Sequence, residues 1–189
     1  TEMSVSDEEA KRNMASDIDQ LDAIIDKFMD YARPGETQMR PTLVAKLIDK
    51  EITAFRDPTQ IKITSRVAID LKVLADETEL SRVFQNLFEN ARRYGRGTYT
   101  GSADVHVSHA KAGPWVIITV RDHGPGVAPE KLSQLTTPFF RGDAARTAAT
   151  GAGLGLSIVD KAIQRMGGMF QLANTRSGGL AAHIKLRRS

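Results

Sequence analysis

Residues 75–95, ADETELSRVFQNLFENARRYG, govern how the rest of the chain is read. Asp76 and Glu79 stand three apart, the spacing of a capping box at a helix start. Leu80, Val83, Phe84, Leu87, Phe88 and Ala91 then recur at steps of three and four, which predicts an amphipathic helix with one apolar face. Asn86 and Asn90, four apart, and Arg93, three further on, share another side of it. Asparagine is a mediocre helix former, so its repetition needs a chemical reason. Hard cations take oxygen ligands, and an amide oxygen can hold Mg²⁺ without the repulsion a carboxylate exerts on a triphosphate; Arg93 would meet the phosphate charge. A solvated helix face accounts for the same pattern without a ligand.

Beyond this helix, two strands are expected around 105–108 and 115–121, the second running into Asp122 and the turn DHGPG, 122–126. Gly124, Pro125 and Gly126 let backbone approach a planar ligand. The Asp122 carboxylate could accept from an exocyclic amine such as that of adenine, although Asp before a turn is commonplace. From 127 to 150 the chain reads as loop, apart from a short helix at PEKLSQL, and carries two adjacent aromatics, Phe139 and Phe140. Connections of that length are usually functional or mobile. TGAGLGLSIV, 150–159, then places Gly151, Gly153 and Gly155 directly before a helix whose apolar face is Leu154, Ile158, Val159, Ala162, Ile163 and Met166. Bared N–H groups at a helix start suit an anion; the same glycines would also let a loop turn or a helix pack closely. Neither GK[ST] nor a complete GxGxxG is present. MFQLA and LAAHIKL are expected to close the chain as a hairpin across Gly178 and Gly179.

On the N-terminal side, Ser6 and Glu9 open a helix in which Met14, Ile18, Leu21, Ile25, Phe28 and Ala32 form a heptad seam. Such a stripe should pack against another helix, from this chain or a second copy. Asp19, Asp22, Asp26 and Asp30 fall on a different face, read as solvated. PGETQMRP, 34–41, reads as a linker, Leu43 to Phe55 as a second helix, DPTQ as a turn, and VAIDLKV as a half-buried strand with Val67, Ile69, Leu71 and Val73 on one face.

The 189 residues, 41% hydrophobic and 26% charged, describe an ordinary globular protein. A net charge of +3, with the cations dispersed, gives no footing for nucleic acid. With no cysteine, a disulfide framework and thiolate chemistry are excluded.

Taken together and in order, NLFENARRYG, DHGPG, PFFRGDAART and GAGLGLSIV resemble the N, G1, F and G2 boxes of the sensor histidine kinase catalytic domain, a branch of the ATP-binding superfamily shared with DNA gyrase and MutL. RGDAART and NARRYG look most similar to osmosensing kinases of the EnvZ type. The resemblance implies an α+β fold, a two-layer α/β sandwich (the Bergerat ATP-binding fold) with a mostly antiparallel sheet covered by helices. It implies a catalytic domain over 42–189, a linker over 34–41, and over 1–33 the second helix of a dimerisation and phosphotransfer hairpin. ATP and Mg²⁺ are the implied cofactors. Asn90, with Asn86, would hold the metal; Arg93 would meet phosphate; Tyr94 would line the pocket; Asp122 would bind the adenine amine. Gly124, Gly126, Val127, Phe140, Arg141, Gly151, Ala152, Gly153, Leu154, Gly155 and Leu156 would line the nucleotide, the glycines acting as hinges of a lid. Ala152 departs from the threonine often found there, which removes a phosphate contact.

None of the four histidines, His106, His109, His123 and His183, falls on a predicted helix, so the phosphoacceptor is expected upstream of Thr1. The implied partners are a response-regulator receiver domain and a second copy of the hairpin, in the cytoplasmic part of a bacterial inner-membrane protein. The alternatives are an ATPase of the same superfamily, in which a Glu four residues before the metal Asn activates water, and a nucleotide-dependent interaction module without catalysis.

Overall fold

The computed structural model describes residues 2–32, 35–97, 99–138, 140 and 153–189, with side chains from residue 8 onward. Its elements are α1 (Glu2–Ala32), β1 (Arg40–Leu43), α2 (Val44–Ile52), β2 (Ile61–Ser65), β3 (Lys72–Ala75), α3 (Glu77–Tyr94), β4 (Ala103–Ala112), β5 (Trp115–Asp122), α4 (Pro129–Leu132), α5 (Gly155–Arg165), β6 (Met169–Asn174) and β7 (Leu180–Arg187). Five strands form one sheet in the order β2-β4-β5-β7-β6, with β2 parallel to β4 and every other pair antiparallel. β1 and β3 make a separate antiparallel pair.

Alternation decides which face of the sheet is covered. Val105 and Val107 of β4, Val116, Ile118 and Val120 of β5, and Ala182, Ile184 and Leu186 of β7 point into one core, shared with Leu80, Phe84, Leu87 and Phe88 of α3 and Val159 and Ile163 of α5. α3 and α5 pack against each other over this face, and α2 packs on α3. Phe88 is fully buried, edge-on to Phe55 and stacked on Phe84. The result is the helix-covered, mostly antiparallel two-layer α/β arrangement that the sequence led us to expect.

α3 starts where its signals place it: the Asp76 carboxylate accepts from the N–H groups of Thr78 and Glu79. Glu79 directs its own carboxylate to Arg165, at 2.7 Å, and to Arg82. Three local expectations are corrected. The strand expected over VAIDLKV is confined to Lys72–Ala75, because Leu71 N–H bonds Ala68 C=O and turns the chain, leaving Ile69 87% exposed. β2 follows the DPTQ turn and was not anticipated; β1 begins at Arg40, inside the segment read as a linker. The second helix spans Val44–Ile52, short of Phe55.

α1 contacts α5, but its seam of Met14, Ile18, Leu21, Ile25 and Phe28 stays exposed, so no helix of this chain covers it among the described residues. Asp30, expected to be solvated, pairs with Arg82 at 3.3 Å. Lys161 lies over the Tyr31 ring at 4.2 Å. No described helix is long and apolar enough to cross a membrane.

Candidate functional site

Of the sequence-predicted residues, Asn86, Asn90, Arg93 and Tyr94 lie on α3, Asp122 and Gly124 lie against its C-terminal end, and Gly155 lies near Asn86. At its C-terminal end, Gly95 caps the helix through its N–H to Ala91 C=O at 2.7 Å. The end of β5 lies directly on this glycine: a Cβ on Gly95 would stand 2.7 Å from Asp122 Cβ, and one on Gly124 would stand 2.7 Å from Gly95 Cα. Only residues without a Cβ permit that approach. Asp122 is 7% exposed, and its Oδ1 accepts from Gly124 N–H at 2.9 Å and Leu180 N–H at 3.1 Å. This fixes the carboxylate from the turn after β5 and from the start of β7, and leaves Oδ2 for a further donor. Gly179, at φ +95, closes on the other side, where a Cβ would meet Asp122 O at 2.1 Å. Gly126 takes φ +73, and Asn174 of β6 clasps the next residue, accepting from Val127 N–H at 2.9 Å and donating to Val127 C=O at 2.5 Å. Tyr94 is exposed beside this end.

Nine helical residues away, about 13 Å at 1.5 Å per residue, lies Asn86. It is 3% exposed; its Nδ2 donates to Arg82 C=O at 2.9 Å, which turns Oδ1 toward the Lys27 ammonium at 2.8 Å. An amide oxygen is therefore already presented to a cation, supplied by α1. Burial lowers the Lys27 pKa below the usual lysine value, against the opposing charges of Asp30 and Glu89. Asn90 is half-buried one turn on. Between them Glu89 accepts from Arg93 Nε at 2.6 Å and from Arg92 at 2.7 and 2.8 Å, while Arg92 also reaches Gln60. Partial burial disfavours the ionised Glu89, but the hydrogen bonds and charges of Arg92 and Arg93 outweigh it and hold the carboxyl below its ordinary range.

α5 starts next to Asn86. A Cβ on Gly155 would sit 3.5 Å from Asn86 Oδ1, an ordinary contact, so space alone does not demand glycine there; Gly153, at φ +69, does demand it. The helix start has neither a side-chain cap nor an acidic residue in its first turn. The side chains of Leu154 and Leu156 are buried, so these residues can meet a ligand only through main chain. Phe140 is half-buried, its N–H bonded to Thr137 C=O. Phe139, Arg141, Gly151 and Ala152 lie outside the described residues.

The sequence reading missed Gly95, Asn174 and Gly179. Gly95 ends a helix as many glycines do, and Asn174 is one asparagine at a strand end, so neither carried a signal by itself.

A family profile described as "Histidine kinase-, DNA gyrase B-, and HSP90-like ATPase" matches residues 75–189. The sensor protein RstB of Escherichia coli K12 is 32% identical over 176 residues, covering 86% of this chain and 38% of RstB. Among solved structures, the mycobacterial sensor histidine kinase MprB superposes with a TM-score of 0.69 at 26% identity, over 79% of this chain and 98% of that one. ShkA in complex with AMPPNP superposes with a TM-score of 0.71 at 25% identity, over 90% of this chain and 36% of that one. The chain belongs to the histidine kinase-, DNA gyrase B- and HSP90-like ATPase family, in the branch of the sensor histidine kinase catalytic domains. It spans between a fifth and a half of the length of the curated sensor proteins it matches.

Proposed function

We propose that this chain binds Mg-ATP along α3 and supplies the catalytic half of a histidine kinase, passing the γ-phosphoryl group to a histidine on a helical hairpin and from there to a response-regulator aspartate. The observation that carries the reading is the pairing of an amide oxygen presented to a cation, at Asn86 on α3, with a carboxylate held by two backbone N–H groups, at Asp122, where the end of β5 lies against the C-terminal end of that helix. Adenine would donate its amine to Asp122 Oδ2, over backbone thinned by Gly95 and Gly124, with Tyr94 beside it. The phosphates would lie toward Asn86, Asn90 and the uncapped start of α5, where bare N–H groups favour an anion. Bound Mg²⁺ would neutralise phosphate charge. The Lys27 ammonium at Asn86 Oδ1 supports the fit, since that oxygen already serves a positive charge. Arg93 reaches phosphate by exchanging Glu89 for it.

Water activation by a base is disfavoured: four residues before Asn90 stands Asn86, whose amide cannot accept the proton. The four histidines lie on β4, β7 and the turn after β5, so none is proposed as the acceptor. The exposed seam of α1 supports residues 1–33 as part of a dimerising hairpin, and AMPPNP in the ShkA structure supports the nucleotide. A receiver domain as partner and a membrane-bound parent belong to the same proposal, supported by the sensor proteins among the relatives.

Calorimetric titration with ATP, with and without Mg²⁺, tests this reading. Metal-dependent binding that is lost in Asp122→Ala is expected, together with no acid-labile label on the chain after incubation with γ-labelled ATP. Binding unaffected by Asp122→Ala, or label on one of its own histidines, would overturn it.

A further inference from the structure

The outer face of the sheet, away from the helices, carries a second constellation. Along β4 the buried residues are Ala103, Val105 and Val107, which leaves Asp104 and His106 side by side on the opposite face. β4 pairs with β5 so that Val105 faces Asp122. The next residue, His123, therefore comes to Asp104, and its Nδ1 lies 3.0 Å from Asp104 C=O. The His106 and His123 rings meet edge to face with centroids 5.0 Å apart, and His106 Nε2 is 3.5 Å from Asp104 Oδ1.

One ligand atom from each of Asp104, His106 and His123 lies within 4.8 Å of the others. A divalent ion bound at about 2.0–2.2 Å by two imidazoles and a carboxylate is the chemistry of zinc and its first-row neighbours. Closing the remaining gap needs only rotamer adjustment of exposed or half-exposed side chains. Two cations flank the trio and oppose an ion: Lys62, beside Asp104 in the β2–β4 register, and Arg121, opposite His106. Arg121 is turned away, its Nη2 donating to Ser177 Oγ at 2.5 Å.

We infer that Asp104, His106 and His123 form a surface site for a zinc-class divalent cation, separate from the Mg²⁺ proposed at the asparagines. Imidazole nitrogens favour Zn²⁺, Ni²⁺ or Cu²⁺ over Mg²⁺, whereas amide oxygens do the reverse, so one chain would sort two ions by ligand chemistry. The ion would tie β4 to the residue that directly follows Asp122. The trio does not depend on the nucleotide reading.

The test is titration of the whole chain with ZnCl₂ in the absence of nucleotide, alongside NMR of the histidine side chains. One equivalent is expected, with the His106 and His123 rings shifted and those of His109 and His183 unmoved. His106→Gln and His123→Gln should each weaken binding by roughly ten- to a hundredfold, at least what loss of an outer-shell partner costs, with unchanged thermal unfolding. Asn90→Ala should retain the zinc affinity, and millimolar Mg²⁺ should not displace the ion. Zinc affinity unchanged in the His106→Gln, His123→Gln double variant, an equal loss in His183→Gln, or displacement by Mg²⁺ would each overturn the inference.

Discussion

Two regions along α3 are built in opposite ways. At the C-terminal end Asp122 is held by backbone: Gly124 and Leu180 donate to it, and Gly95, Gly124 and Gly179 admit contacts that a Cβ would forbid. Toward the middle of the helix the polar groups are held by side chains: Lys27 serves Asn86, and Glu89 gathers Arg92 and Arg93. Backbone partners cannot rotate away, whereas side-chain partners can be exchanged at the cost of their rotamer freedom. The end proposed for adenine is thus formed in advance, while the stretch proposed for the phosphates would have to trade internal ion pairs for ligand.

The largest effect should follow from breaking the formed end. Asp122→Ala leaves Gly124 N–H and Leu180 N–H unpaired, about 1–3 kcal/mol for each buried donor, and removes the amine acceptor. Calorimetry should show nucleotide affinity falling by roughly a hundredfold or more, with a lowered thermal midpoint. Near-normal affinity would mean that this end is scaffold rather than site. Asn90→Ala comes next. It should abolish the Mg²⁺-dependent part of the affinity, with Asn86→Ala weakening it less because Lys27 already competes for that oxygen; the difference between titrations with and without Mg²⁺ reads this directly.

Lys27→Met sharpens the contrast from the other side. It frees Asn86 Oδ1 from a bond to a charged group, whose net worth is about 1.5–3 kcal/mol, so Mg²⁺-dependent nucleotide affinity should rise by about ten- to a hundredfold. A fall would make Lys27 part of the binding machinery instead of its competitor. The smallest effect belongs to Glu89. Its carboxyl is held below the ordinary value of 4.5, so its contribution to stability is present above that pH and is lost as pH falls through the lower folded value. Glu89→Gln should flatten the acid limb of the unfolding midpoint below about pH 4.5 by the 0.2–1 kcal/mol typical of partly exposed pairs, as followed by circular dichroism.

Much of this was legible in the sequence because its signals are local. The capping carboxylate of Asp76, the apolar period of α3, the hairpin across Gly178 and Gly179, and the i, i+4 spacing of Asn86 and Asn90 each involve residues within a few positions of one another. Ile69 failed for the complementary reason: its alternation with Val67, Leu71 and Val73 looks like a strand, but a turn bond from Leu71 N–H to Ala68 C=O overrides it. Periodicity measures which side chains share a face only where the backbone is regular.

By itself the sequence determined the helices, the order of the four boxes and the identity of the residues along α3, since these depend on chemistry repeated within one or two turns of chain. Tertiary structure alone decided that Gly95 meets Asp122, that Asn174 clasps Val127, that Lys27 reaches Asn86 across 59 positions, and that His123 joins Asp104 and His106. Those pairings follow from the strand order β2-β4-β5-β7-β6 and from the way α1 lies on the domain. Closing loops of such length is governed by how the whole apolar face is buried, a sum over the core that no local stretch encodes.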